Sequence, residues 1–216
     1  MTGSVGRCSG AWRGSLLLAT LPLLLLPACT SLPTTPSVPS AAPLDWPSRR
    51  AELQAQADFT LKGRLAVAAG DEGFSAGLRW QQRDRDALIE LDGPFGVGGL
   101  RLQARGDALQ LTTSRGERLD GEAARVELER RLGFPLPLES LRYWVRGVPD
   151  PARPAEERLA TDAPRLAGLS QDGWSIDYTA YLEQPAAGAL PRRLSAVREG
   201  TRLRLVIEDW SDGNGP

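Results

Sequence analysis

The chain has no histidine, two cysteines and a single lysine among its 216 residues. The lack of histidine excludes Ser-His-Asp and Cys-His nucleophiles, histidine-ligated zinc sites and a histidine pH switch. Cys8 and Cys29 both lie near the N-terminus, so no disulfide framework is expected to hold a fold together. Lys and Arg total 26 against 27 Asp and Glu, and this net charge of −1 speaks against nucleic-acid binding, which needs a basic surface. Among enzymes, two-carboxylate chemistry and metal sites made only of oxygen ligands remain.

Residues 1–28 are typical of an export signal. Two arginines and no acid occur in the first 15 residues, and a mostly apolar run follows from Leu16 to Leu26. At about 11 residues this run is too short to cross a bilayer, which needs roughly 20. It ends in Leu26-Pro27-Ala28-Cys29, which resembles a bacterial lipobox, and an ordinary secretory signal with an incidental cysteine is the alternative. The resemblance implies cleavage before Cys29 and acylation of that residue, with Thr30 behind it favouring the outer membrane.

Residues 29–44 are expected to form a lipidated, flexible tether. From Thr30 to Pro43 the chain is uncharged and rich in Pro, Ser, Thr and Ala, so it cannot bury a core. Its 14 or so residues reach at most roughly 40 Å in extended form. The remaining segment, 45–212, is expected to be one folded domain, because no repeat and no second boundary interrupts it.

The folded segment alternates apolar and polar side chains with the period of β-strands. Turn residues separate the runs, as in Gly70-Asp71-Glu72-Gly73 and Gly106-Asp107, which predicts an antiparallel meander. The predicted strands are Phe59–Val67, Phe74–Trp80, Ala87–Leu91, Leu100–Ala104, Leu109–Leu111, Leu166–Leu169, Gly173–Leu182, Pro191–Arg198 and Thr201–Trp210.

Three short helices are predicted beside these strands. The first is expected to start at Asp45, the second to be capped by Asp120 and stopped by Gly133, and the third to start at Pro137. The segment from Asp150 to Pro164 is polar, charged and contains proline, so it is predicted to be a long mobile loop.

A sheet of roughly ten antiparallel strands with one apolar face must curl or be covered. A curled sheet with helices across its mouth encloses more space than side chains alone fill, and such folds tend to hold apolar ligands. A fully packed barrel or sandwich without a cavity is an equally good interpretation of the pattern. Both interpretations give a mainly β fold.

An ordered set of short phrases runs through the whole domain. They are Leu61-Lys62-Gly63-Arg64-Leu65, Leu78-Arg79-Trp80-Gln81-Gln82, Gly93-Pro94-Phe95-Gly96, Leu136 to Gly147, Ser170 to Tyr178, Leu190-Pro191 and Asp209-Trp210. Together with the lipobox, this set resembles the LolB family of outer-membrane lipoprotein receptors from about residue 46 to residue 210. The resemblance implies an incomplete, unclosed antiparallel β-barrel of about ten or eleven strands, with a lid of about three short helices over an apolar cavity.

The same resemblance implies a function. A member of this family accepts acylated lipoproteins from a soluble periplasmic carrier of the LolA type and places their acyl chains in the inner leaflet of the outer membrane. It acts on the periplasmic face, in contact with outer-membrane phospholipid, and we expect a lipid-anchored monomer. No catalytic residue, metal or other cofactor is implied, and no enzymatic activity is expected.

Four aromatic residues are candidates for the lipid cavity. Trp80, Phe134, Trp144 and Trp174 lie on predicted strands and lid, and they match positions that line the cavity in the family. Ordinary core packing is an equally good explanation for each of them.

The glycine-rich segment Gly93–Gly99 contains the candidate membrane-delivery loop, Pro94, Phe95 and Gly96. A phosphate loop is a weak interpretation because no Gly-Lys-Ser/Thr follows. A plain hairpin turn with Phe95 tucked inward is a second interpretation. The resemblance implies a third, in which an exposed apolar residue of this loop delivers lipid into the bilayer, and Phe95 occupies that position.

Two other functions are compatible with parts of the sequence. A glycan hydrolase would use a carboxylate pair, and Glu90, Asp92, Glu156 and Glu157 are available. Adjacent strand residues point to opposite faces, and residues 156–157 fall in the predicted loop, so neither pair is favoured. A structural lipoprotein that supports outer-membrane assembly without binding lipid is the second possibility, and failure to bind a fluorescent fatty acid would identify it.

Overall fold

The computed structural model describes residues 45–70, 72–93, 99–184 and 188–211, all within one compact unit, residues 42–216. These residues form one antiparallel sheet of eleven strands in the order β6-β5-β4-β3-β2-β1-β11-β10-β9-β8-β7. The strands are β1 Phe59–Ala69, β2 Glu72–Arg83, β3 Asp86–Asp92, β4 Leu100–Arg105, β5 Ala108–Thr113, β6 Arg118–Asp120, β7 Ala155–Leu159, β8 Leu166–Gln171, β9 Trp174–Gln184, β10 Gly188–Arg198 and β11 Thr201–Ser211. The strands β6 and β7 are its two edges, so the predicted mainly β, unclosed antiparallel fold is confirmed.

Burial follows the alternation that the sequence predicts. In β11 the side chains of Leu203, Leu205 and Ile207 are buried, whereas Arg202 and Arg204 between them are exposed. Apolar side chains from the strands and from all three helices form one core cluster. The sheet therefore presents one apolar face to a shared interior.

Three helices accompany the sheet: α1 Trp46–Ala55, α2 Gly121–Leu132 and α3 Leu138–Trp144. Helix α1 begins as predicted, because Asp45 Oδ1 accepts a hydrogen bond of 2.9 Å from the backbone N–H of Ser48, and this bond lowers the pKa of Asp45. The other end of α1 is tied to the chain beyond α3, since Arg146 Nη1 donates to the carbonyl of Leu53 at 2.6 Å.

The end of α2 is set by a glycine. Gly133 has φ +82, a left-handed conformation that disfavours other residues, and its N–H donates to the carbonyl of Glu129. The start differs in one detail from the prediction. Asp120 occupies the N-cap position, but its side chain accepts a hydrogen bond of 2.8 Å from Gln110 and makes no capping bond.

The predicted mobile loop from Asp150 to Pro164 is wrong. Ala155–Leu159 is strand β7, paired with β8, and Asp150 is only 5% exposed. Strand β7 was missed because an edge strand with mostly exposed side chains has no apolar alternation to reveal it. The three-residue β6 was missed at the other edge because it is too short to carry a period.

Candidate functional site

An apolar cavity of about 60 Å³ lies between the sheet and the helices. Each of β1, β2, β3, β4 and β11 contributes two lining residues spaced by two, which is the spacing of one face of a strand. Helices α2 and α3 and the segments after them close the cavity from the other side. The lining is Leu65, Val67, Leu78, Trp80, Ile89, Leu91, Leu100, Leu102, Leu203 and Leu205 from the sheet and Leu128, Leu132, Phe134, Leu136, Leu141 and Val145 from the cover.

Of the four predicted aromatic residues, Trp80 and Phe134 lie on this lining. Trp80 is 4% exposed, and its indole N–H donates to Gln82 Oε1 at 2.9 Å, so its polar atom is already engaged. The ring of Phe134 meets that of Trp174 edge-on, with centroids 5.3 Å apart.

The other two predicted aromatic residues, Trp144 and Trp174, are not among the residues that line this cavity. The centroid of Trp174 lies 6.3 Å from that of Trp144, which makes a row of three rings with Phe134 at one end. Trp144 is 1% exposed and is not on the cavity lining; its N–H donates to Gln171 Oε1 at 2.7 Å. The structure thus brings Phe134, Trp174 and Trp144 into contact.

A larger cleft, of about 730 Å³, adjoins the cavity. Trp80, Leu128 and Leu136 lie on the lining of both, so the two hollows meet at these side chains. Trp174 also lines the cleft. The charges around the cleft balance, with the arginines Arg85, Arg125, Arg142, Arg153 and Arg198 and the carboxylates Asp107, Glu122, Glu129, Glu139 and Asp172.

Gln171, at the end of β8, fixes α3 to the sheet. Its Oε1 accepts hydrogen bonds from Trp144 Nε1 at 2.7 Å and from the backbone N–H of Asp150 at 2.9 Å. Its Nε2 donates to the carbonyls of Asp150 and Arg153, both at 3.0 Å. Because Gln171 is 3% exposed, these are buried, directional contacts that a displaced α3 would lose.

Two more hydrogen bonds strengthen the same attachment. Ser140 Oγ donates to Asp150 Oδ2 at 2.9 Å, and the hydroxyl of Tyr178 donates to the carbonyl of Trp144 at 2.9 Å. Burial raises the pKa of Tyr178 well above its ordinary value, so the hydroxyl keeps its proton and remains a donor.

Helix α2 is held differently. Ala124, Leu128 and Leu132 are buried at intervals of four residues and pack on the core. Among the described residues, the hydrogen bond that joins α2 to a distant part of the chain is an exposed one, from Arg125 Nη2 to the carbonyl of Asp107 in the turn between β4 and β5, at 3.2 Å. The cover of the cavity therefore has one helix fixed by polar contacts and one held by apolar packing.

The comparisons with known proteins agree with this architecture. The family model described as outer membrane lipoprotein LolB matches residues 57–210. The outer-membrane lipoprotein LolB of Alkalilimnicola ehrlichii is 37% identical over 200 residues, which cover 92% of this chain and 98% of the relative. The chain belongs to the LolB family.

A second LolB protein, from Stutzerimonas stutzeri, is 35% identical over 196 residues, 90% of this chain and 94% of the relative. The fold also resembles that of a DUF1329 family protein of Desulfovibrio piger, with a TM-score of 0.55 at 8% identity over 79% of this chain and 92% of that one. The predicted family is confirmed, and with it an outer-membrane lipoprotein whose role is lipoprotein localisation. Among the described residues, no helix is both long enough and apolar enough to cross a membrane.

Several predicted LolB site residues lie outside the described residues. These are the lipidation site Cys29 and the delivery loop Pro94, Phe95 and Gly96. The two positions that flank this loop at a short distance, Leu91 in β3 and Leu100 in β4, both line the cavity.

The carboxylates considered for hydrolysis are placed differently from the prediction. Glu90 and Asp92 share one face of β3, where Arg79 lies 3.8 Å from the first and 3.4 Å from the second. Glu156 and Glu157 belong to β7, not to a loop, and Glu157 accepts a hydrogen bond from Trp46 Nε1 at 2.6 Å. The expectations that the first pair lies on opposite faces and that the second lies in a loop are therefore wrong.

Aliphatic residues supply most of the cavity lining, whereas the residues predicted from the sequence are all aromatic. Eleven of the sixteen lining residues are leucines. The signal was present, because each of the five contributing strands carries its two lining residues at the i, i+2 spacing of its apolar face.

Proposed function

We propose that this chain is an outer-membrane receptor that accepts acylated lipoproteins from a LolA-type periplasmic carrier and delivers them to the inner leaflet of the outer membrane. The observation that supports the proposal is the cavity whose sixteen lining residues are all apolar. Contacts with such side chains are non-directional, so they admit an acyl chain of any position or rotation and let it slide out again.

The energetics of an acyl chain require such a site. Burying one CH₂ group is worth about 0.8 kcal/mol, so a chain of about fifteen would need on the order of 12 kcal/mol to enter water. At about 1.4 kcal/mol per tenfold, this slows escape by around nine powers of ten. A lipoprotein carries several such chains, and its lipid must therefore pass directly from one apolar site to the next.

The cavity has to widen to take its cargo. Its volume of about 60 Å³ is well below the ~300–1,000 Å³ of typical ligand sites. Helix α2 is the part of the cover that packs through apolar side chains, and acyl chains can replace those contacts with others of the same kind. We propose that loading displaces α2 from the sheet while α3 stays in place.

The N-terminal segments would place this receptor at the membrane. We propose that residues 1–28 are removed as a signal, that Cys29 is acylated and that residues 29–44 serve as a tether. The domain that follows then stands within reach of both a soluble carrier and the phospholipid of its own membrane.

The loop between β3 and β4 is the proposed point of delivery. Pro94, Phe95 and Gly96 lie between two strands whose nearby residues Leu91 and Leu100 line the cavity. An apolar side chain here, between proline and glycine, is suited to entering the interface of a bilayer.

Substitution of Phe95 tests the delivery step. In Phe95→Ala we expect normal folding and normal acceptance of lipid but about tenfold slower delivery into liposomes, because the apolar contact with the bilayer is lost. Phe95→Glu should be slower still, since it places a charge among the headgroups. Phe95→Leu is the matched control and should deliver at the normal rate. Normal delivery by Phe95→Ala would remove Phe95 from the mechanism.

The proposed function itself is tested by transfer. Carrier loaded with an acylated lipoprotein is mixed with residues 30–216, which lack the signal and the lipidated cysteine, and the cargo is followed by separating the two proteins. Cargo should move to this chain without nucleotide. A chain that accepts no cargo and binds no fluorescent fatty acid would instead be a structural lipoprotein.

A further inference from the structure

One tryptophan differs from the others in the hydrogen bonding of its indole N–H. Four of the five that the structure describes donate their indole N–H to a protein oxygen. The acceptors are Glu157 for Trp46, Gln82 for Trp80, Gln171 for Trp144 and the carbonyl of Pro191 for Trp210. Trp174 Nε1 is buried and has no hydrogen-bond partner among the described residues.

An unpaired buried donor is unfavourable. Leaving a buried N–H without an acceptor destabilises a protein by about 1–3 kcal/mol, and such groups are rare in folded proteins. The ring of Trp174 is 2% exposed and sits against the rings of Phe134 and Trp144, neither of which offers an oxygen. The position therefore keeps a donor at a destabilising site, where phenylalanine would fill much of the same space.

The unpaired donor belongs to a residue that lines the cleft. Three side-chain polar atoms of the described residues are buried without a partner: Thr113 Oγ1, Arg142 Nε and Trp174 Nε1. Two of these three residues, Arg142 and Trp174, line the cleft that adjoins the apolar cavity. Both of those atoms are N–H donors, so the ligand group that would satisfy them is an acceptor.

We infer that Trp174 Nε1 donates a hydrogen bond to an acyl carbonyl oxygen, the ester or amide carbonyl by which a fatty chain is joined to its lipoprotein. This inference rests on the proposed function, since it assigns a polar contact to the lipid that the cavity would hold. The chain would occupy the apolar side of Trp80, Leu128 and Leu136, and its carbonyl the cleft on their other side.

The charges of the cleft favour a neutral acceptor over a phosphate. Five arginines and five carboxylates line it, and pairs such as Arg85 with Asp107 at 3.2 Å and Arg153 with Asp172 at 3.3 Å already neutralise one another. An anion would face as many negative as positive groups, whereas a carbonyl needs only the N–H. A carbonyl is also the polar group directly attached to an acyl chain.

Two lipids that differ in the presence of a carbonyl group test this contact. Binding of a monopalmitoyl glycerol ester is compared with binding of the hexadecyl glycerol ether, which has the same chain length and headgroup but no carbonyl. Residues 30–216 should bind the ester about three- to tenfold more tightly, the range expected for one hydrogen bond. In Trp174→Phe the two lipids should bind with equal affinity.

The matched control is Trp80→Phe. It removes the same part of a ring from the same cleft, but this indole N–H already has Gln82 as its partner. The variant changes the affinity for both lipids together, so the ester-to-ether ratio should stay at its wild-type value. If Trp80→Phe also bound the ester and the ether equally well, the volume of the ring and not the N–H of Trp174 would explain the preference for the ester. That result would overturn the inference.

A measurement on the unaltered protein makes the test independent of how the variants fold. In nitrogen-15 NMR each tryptophan gives one indole N–H signal. The Trp174 signal should move downfield with the ester and far less with the ether. Equal affinity for both lipids with no shift of this signal would overturn the inference while leaving the apolar cavity as the lipid site. Failure to bind either lipid would overturn the proposed function with it.

Discussion

Helices α2 and α3 cover the same cavity but are attached to the protein in different ways. Helix α3 is fixed by buried hydrogen bonds that converge on Gln171 and Asp150. Helix α2 presents Ala124, Leu128 and Leu132 to the core and makes an exposed polar contact at its outer face. Directional contacts are lost by a small displacement, whereas apolar contacts can be exchanged for those of an acyl chain. The difference indicates which part of the cover moves during loading.

The largest effect is expected at the attachment of α3. Gln171→Leu removes the acceptor of Trp144 Nε1 and of the backbone N–H of Asp150, leaving two buried donors unpaired. The free energy of unfolding should fall by about 3 kcal/mol, measured by urea denaturation. Gln110→Leu is the control, because the Gln110 amide donates an exposed hydrogen bond to Asp120. This variant should change the free energy of unfolding by under about 0.5 kcal/mol. Equal effects at the two positions would mean that the Gln171 network does not fix α3.

A somewhat smaller effect on stability is expected in α2, together with a gain in binding. Leu128→Ala removes a buried side chain from the cavity lining and should lower the free energy of unfolding by about 2 kcal/mol. Because the cover is then easier to displace, a fluorescent fatty acid should bind about threefold more tightly. Val126→Ala on the same helix is the control, since Val126 is 57% exposed. Weaker binding by Leu128→Ala would contradict the assignment of α2 as the moving helix.

The smallest effect concerns the internal stability of α2. Hydrogen bonds from Arg130 and Arg131 lower the pKa of Glu127 to about 2, from an ordinary value of 4.5. A carboxyl group whose pKa is lower in the folded state than in the unfolded state stabilises the protein at pH values above its ordinary pKa. This contribution is lost as the pH falls through the folded-state pKa. Glu127→Gln should therefore reduce Tm by about one or two degrees at pH 7, and the difference should narrow below about pH 4.5 and vanish near pH 2. A difference that is constant with pH would exclude the carboxylate as its source.

The sequence predicts the interior of this fold better than its edges. Strands such as β11, with buried Leu203 and Leu205 between exposed arginines, carry their apolar face in a period of two. The edge strand β7 has mostly exposed side chains, so polarity and proline content gave a loop in its place. Pairing with β8 supplies the order that β7 lacks by itself, and that pairing depends on residues outside the segment.

The candidate site, too, is predictable from the sequence only in part. The residues that line the cavity, its leucines included, can be located from the alternation of apolar residues in the strands. The hydrogen-bond partner of an indole N–H cannot be located in this way, because the partner of Trp144 is Gln171, 27 residues away along the chain. The contrast between Trp144, which has a partner, and Trp174, which has none among the described residues, therefore required the folded arrangement.

The proposed mechanism depends most on movement of α2 away from the sheet, and the distance between two spin labels tests this movement directly. Val126 on α2 is 57% exposed, and Arg204 in β11 is exposed on the face of the sheet opposite to the core. Residues 30–216 carrying Val126→Cys and Arg204→Cys contain no other cysteine, so the two labels attach at known positions. We expect the distance between the labels to increase when a fatty acid binds. An unchanged distance in the saturated complex would contradict the claim that α2 moves.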